Sequence, residues 1–145
     1  MIKKPILIAG AILVWGLASV SPISAVAADL VIIGNSGILE NAIDHKDVQR
    51  IFLGKQTQWE DDITIVPVML KSGPLHDEFI ERYVERSVPR FVTYWRQMVF
   101  TGKGIPPKLF GSETELIGFV ASTPGSVGFV SARAEMSGVK VLLRD

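Results

Sequence analysis

Lys71-Ser72-Gly73-Pro74 is the stretch of this chain whose residue types and order are suited to chemistry. It stands between an apolar run over residues 63–69, which reads as a strand, and an amphipathic run over 75–84, which reads as a helix. A short Ser/Gly turn between a strand and a helix is a ready anion site. Free backbone N–H groups and the positive end of the helix dipole aim at one point. Ser72 adds a hydroxyl and Lys71 a mobile positive charge. The same residues also read as a plain helix cap, with Gly73 at the N-cap and Pro74 pre-set at the first helical position. A second turn of this kind, Asn35-Ser36-Gly37, ends the apolar run 29–34. It sits at the carboxyl end of a strand, where ligands gather in open α/β sheets. Its plainer reading is a turn built from residues that tolerate unusual backbone angles.

Catalytic constellations are missing. His45 and His76 are the only histidines and stand far apart in the chain, and there is no cysteine, so thiol chemistry and zinc–thiolate sites are excluded. Neither Gly-x-Ser-x-Gly nor Gly-x-x-x-x-Gly-Lys-Ser/Thr occurs. His76 follows Ser72 closely enough to suggest a hydrolase, but such a site needs an orienting third group and an oxyanion hole. Neither is identifiable. The expectation is binding without catalysis, with no catalytic residue, no metal and no cofactor.

The elements that must position these turns begin after a leader. Met1-Ile2-Lys3-Lys4 is a basic start, residues 6–20 are apolar, and Ala25-Val26-Ala27-Ala28 offers the small residues of a signal-peptidase site. A retained anchor is the other reading, but the run is shorter than the roughly 20 residues a spanning helix needs. We therefore read 1–28 as a signal peptide cleaved near Ala27/Ala28, and 29–145 as one exported, periplasmic domain. Removing 28 of the 145 residues leaves 117 and takes Lys3 and Lys4, so 13 basic residues face 15 acidic ones, a net charge of −2. That balance points away from nucleic acid. Without disulfides, the fold must rest on its core.

Asp44 caps a short helix with Val48, Ile51 and Phe52 on one face. Pro67 places the 63–69 strand at an edge or a bulge. Leu75, Phe79, Ile80 and Tyr83 form one helical stripe, and Phe91, Tyr94, Trp95 and Met98 another, both read as core. Residues 100–107 read as a loop. Ser112-Glu113-Thr114-Glu115 has the form of a capping box, and Thr123-Pro124-Gly125 that of a type II turn. Strands over 127–130 and 139–143 close the chain. The order predicts an α/β domain, a small mixed sheet flanked by helices.

Two segments resemble a known family. Ile51-Phe52-Leu53-Gly54-Lys55, followed by Trp59 and the 63–68 strand, resembles a segment of the phosphate-binding subunits of bacterial phosphate ABC importers. Thr123-Pro124-Gly125-Ser126-Val127-Gly128-Phe129-Val130 is similar to that family's T-P-G-[AS]-[IV]-G-[YF]-V, and 100–107 to the F-T-G-x-G-x-P-P of its short exported members. The resemblance implies one lobe of a type II periplasmic binding protein, in which loop amides and hydroxyls hold an oxyanion such as phosphate. The family's Arg-x-x-x-Ser-Gly-Thr loop falls on the 71–74 turn: Ser72 and Gly73 match, Pro74 replaces the Thr, and Lys71 supplies the charge in place of the Arg. Asn35, Ser36 and Gly37 fall where the first lobe's ligand loop would be. The implied anion ligands are thus Asn35, Ser36, Gly37, Lys71, Ser72 and Gly73. The implied partners are an ABC permease or another envelope protein, and a second copy of the chain that would rebuild a cleft. The alternative is an envelope interaction or sensing module that kept the scaffold and lost the ligand.

Overall fold

The apolar run at the start of the domain forms β1 (Leu30–Asn35), all six residues of which are buried. In the structure, a computed structural model that describes residues 29–145, β1 lies within a five-stranded sheet. The predicted signal peptide over 1–28 lies outside the described residues. Both neighbours of β1 are antiparallel to it, β4 (Ser126–Ser131) on one side and β5 (Val139–Arg144) on the other. Next to β4 comes β2 (Val66–Leu70), parallel to it, and then a strand not anticipated from the sequence, β3 (Lys108–Phe110). The order is β3-β2-β4-β1-β5, the small mixed sheet that was expected. Three residues after a Pro-Pro pair carry no usable periodicity, which is why β3 escapes a sequence reading.

The second strand begins later than its apolar run. Residues 63–65 fold back on 57–59 instead, with the Trp59 N–H donating to Ile63 O and the Ile65 N–H to Thr57 O, both at 2.9 Å. Pro67 therefore lies in an interior strand, neither on an edge nor in a bulge. It breaks no ladder bond there. The Val66 N–H donates to Gly125 O at 3.0 Å, so the Pro67 nitrogen faces β3, and β3 pairing starts only at Val68, opposite Lys108.

Among the described residues four helices cover the sheet. Asp44 and Asp47 close a capping box on α1 (His45–Phe52). Gly73 and Pro74 take the N-cap and first-turn positions of α2 (Pro74–Phe79), which runs on into a single π-helical turn over Ile80–Val84. The others are α3 (Val88–Phe100) and α4 (Glu113–Ser122). The expected stripe on α2 is the centre of the core. Phe79 stacks on Phe129 of β4 at 4.0 Å, meets Phe52 edge-on at 4.7 Å and approaches Tyr83 at 5.6 Å.

The connections set where a ligand can sit. From β2 the chain passes through α2 and α3 to β3 on one side, then through α4 to β4 on the other. This reversal puts a topological switch point at the carboxyl end of β2, the position that ligands favour in open α/β sheets.

Candidate functional site

The turn at that switch point is the 71–73 segment. Its start is fixed by the Lys71 N–H donating to Phe110 O at 2.8 Å, which ties the ends of β2 and β3 together. Beyond that bond, Lys71, Ser72, Gly73 and Pro74 are all exposed. Gly73 has φ 105°, a backbone region that side chains disfavour, and a Cβ added there would meet nothing within 4 Å. No side chain caps α2. The amides of Ser72, Gly73, Leu75 and His76 find no acceptor among the described residues, while the Asp77 N–H closes the first turn onto Gly73 O at 3.1 Å. The turn is therefore a cluster of unpaired donors beside one lysine, and the Ser72 hydroxyl is not used as a helix cap.

Ser72 and His76 do not form a nucleophile–base pair. The His76 Nδ1 lies 2.8 Å from the Asp77 carboxylate, its neighbour in sequence, and no hydrogen bond joins it to Ser72. Among the described residues no group of three His, Cys, Asp or Glu side chains is placed to hold a metal ion.

The 35–37 turn does not join this site. Strand β1 runs antiparallel to β4 and β2 runs parallel to it, with Gly34 opposite Val127 and Val66 opposite Ser126. Asn35 therefore lies at the amino end of β4 and Lys71 at its carboxyl end, about five residues or roughly 16 Å along the strand. One small oxyanion cannot touch both. Asn35 is also committed. Its side-chain Nδ2 donates to Val120 O at 2.8 Å and Ala121 O at 3.3 Å, and its Oδ1 accepts from the Gly37 N–H at 2.9 Å. It ties β1 to the last turn of α4, and Ser36 alone keeps free hydrogen-bond donors in that turn.

Other residues come to the carboxyl end of β2 in place of the 35–37 turn. Continuing the same register, Leu70 ends β2 level with Val130 of β4, and Lys71 falls level with Ser131. Glu113, in the first turn of α4, accepts the Ser131 N–H at 2.5 Å. Glu113 also lines, with Glu135, a cavity of about 310 Å³. The positive charge on the turn itself is that of Lys71, and the Glu113 carboxylate is bound at the end of the neighbouring strand.

The chain shares its fold with about half of several solved phosphate-transport receptors. A phosphate ABC transport receptor from Vibrio cholerae superposes with a TM-score of 0.55 at 18% identity, over 80% of this chain and 46% of that one. PstS from Borrelia burgdorferi gives 0.58 at 17%, over 80% and 47%. A Clostridium perfringens structure with bound phosphate, described as a phosphate ABC transporter substrate-binding protein, gives 0.63 at 17%, over 80% and 45%. The chain thus spans less than half the length of these solved structures. No protein-family model and no curated protein sequence matches it.

Proposed function

We propose that this is an exported, short relative of the phosphate ABC receptors that holds phosphate or a similar oxyanion at the 71–73 turn. The observation that carries the reading is the set of unpaired Ser72, Gly73, Leu75 and His76 amides at the switch point, next to Lys71. Charge-assisted hydrogen bonds from such donors contribute about 1.5–3 kcal/mol each before the cost of ordering and binding. An open turn on half a receptor buries little of its ligand. A dissociation constant on the order of a millimolar, about −4 kcal/mol, is what this site supports. The protein binds without chemistry, works in the periplasm, and passes its ligand or its signal to an ABC permease or another envelope protein. A second copy of the chain facing this turn would close the cleft.

Calorimetry on residues 29–145 with phosphate and sulfate tests the proposal. Saturable heat whose affinity falls in Lys71→Ala and Ser72→Ala supports it, and no heat at tens of millimolar ligand removes it. In that event the interaction module is the better reading. One observation already favours that alternative: none of Lys71, Ser72, Gly73 or Pro74 lines any of the four cavities described for the molecule.

A further inference from the structure

A different concavity opens at the other end of β2. Because β3 pairs with β2 only from Val68 onward, the 103–107 segment stands clear of Pro67 and leaves a cavity of about 490 Å³. That is the size of a small-molecule pocket. Trp95 forms part of its wall. The ring is buried, and its Nε1–H already donates to Phe52 O at 3.1 Å, so what it offers the cavity is apolar. Two glycines, 54 and 104, line the same cavity and press bare backbone against the indole. A Cβ at Gly54 would lie 2.9 Å from Trp95 Cη2, and one at Gly104 3.1 Å from Trp95 Cζ3 and 3.2 Å from Met98 Cε. Gly104 is outside the left-handed region, so its backbone does not require glycine. A side chain there would instead have to push the ring edge and the Met98 methyl aside by a few tenths of an ångström.

The polar groups around this apolar wall are uncommitted and of one sign. The side chains of Gln56, Thr57 and Thr64 line the cavity and make no hydrogen bond among the described residues. The only charged lining residues are Lys103 and Lys108, with no carboxylate among them. Lys108 carries its ammonium 4.6 Å from the Phe119 ring, whereas Lys103 forms no salt bridge among the described residues. Ile105, on the same rim, is 87% exposed.

We propose that this cavity binds a small amphipathic organic anion, an aliphatic or aromatic carboxylate whose apolar body rests on Trp95 and whose charged end faces Lys103. An apolar wall with unpaired hydroxyls and only positive charge at its rim selects that class over neutral or cationic molecules of equal size. The site is separate from the oxyanion turn. Lys71 follows β2 at its carboxyl end, whereas Val66 and Pro67 line this cavity at the strand's start.

The test uses residues 29–145 with anilinonaphthalene sulfonate as a fluorescent probe and decanoate, decanol and decylamine as competitors. One saturable probe site is expected, displaced by decanoate well before decanol or decylamine. Lys103→Gln should weaken decanoate about tenfold, the scale of one lost charge-assisted hydrogen bond, and leave decanol unchanged. Gly104→Leu should abolish binding, and its thermal unfolding shows whether the fold survives. If it does not, Lys103→Gln on the exposed rim still decides. Ser72→Ala should leave decanoate binding intact, so that this site and the oxyanion turn succeed or fail separately. Equal displacement by decylamine, or indifference to Lys103→Gln, overturns the proposal. So does a dimer that fills the groove with a second copy and is broken by Ile105→Glu.

Discussion

Gly34 and Pro67 both pair with Val127, from opposite sides and with opposite chain directions. That one relationship separates the two Ser/Gly turns that the sequence makes look alike. The strand through Gly34 delivers Ser36 to one end of the sheet, and the strand through Pro67 delivers Ser72 to the other. Ser36→Ala should therefore leave oxyanion binding unchanged, while Ser72→Ala weakens it about three- to tenfold, the scale of one lost hydrogen bond. Equal losses in both variants by calorimetry would contradict the sheet geometry as the organiser of the site.

Asn35 has a structural task that can be measured. Its amide holds Val120 O and Ala121 O while its carbonyl takes the Gly37 N–H, all at the buried junction of β1 and α4. Asn35→Ala removes the amide donor from Ala121 O and one of two donors from Val120 O, which keeps the Ser126 hydroxyl at 3.1 Å, and should cost about 1–3 kcal/mol in urea unfolding. Oxyanion affinity should not change. A stable variant with lost binding would instead assign Asn35 to the ligand.

Gly125 is the tightest backbone crossing that the turn chemistry produces. It has φ 76°, and a Cβ there would lie 2.2 Å from Thr64 O. Its own carbonyl accepts both the Val66 N–H and the Trp59 Nε1–H at 3.0 Å. Gly125→Ala meets backbone that cannot step aside and should destabilise the domain by about 3 kcal/mol or more. A melting temperature within a few degrees of the parent would show that the 123–126 turn can reshape.

Asp145 makes the fold sensitive to acid. Its carboxylate accepts from the Tyr83 hydroxyl at 2.5 Å, pairs with Arg82 at 2.6 Å and meets the His45 ring at 3.1 Å, and that ring stacks on Tyr83. Burial alone would raise the Asp145 pKa. The hydrogen bonds from Tyr83 and His45 and the charge of Arg82 outweigh it and hold the group below its ordinary value of 3.8. A depressed carboxylate contributes stability that is present above its unfolded pKa and is lost as pH falls through the folded one. Tyr83 is shifted upward by burial first and by Asp145 second, so its phenol remains a neutral donor and its contribution fades only in strong alkali. Asp145→Asn should remove about 1 kcal/mol at neutral pH, a figure reduced for partial exposure. It should also flatten the loss of stability on acidification below pH 4, the ordinary carboxylate range. Parallel acid melts of parent and variant would place the acid sensitivity elsewhere.

Much of the scaffold was legible because its signals are local. Asp44 and Pro74 mark helix starts by their own chemistry, and the spacing of Phe79, Ile80 and Tyr83 announces the buried face of α2. The 71–73 turn was legible for the same reason, being a strand end and a helix start in one short stretch. What could not be read is non-local. Whether the 35–37 turn joins the 71–73 turn depends on the direction of β1 relative to β4, which no residue in either turn encodes. Pro67 was misplaced because its tolerance depends on where β3 begins, and β3 is too short to announce itself.

The most direct measurement is a phosphate titration of residues 29–145 followed by backbone amide chemical shifts. The account expects progressive shifts at Ser72, Gly73, Leu75 and His76 with half-saturation on the order of a millimolar, and none at Ser36 or Gly37. Shifts that appear at the 35–37 turn, or a spectrum unmoved at tens of millimolar phosphate, would contradict it.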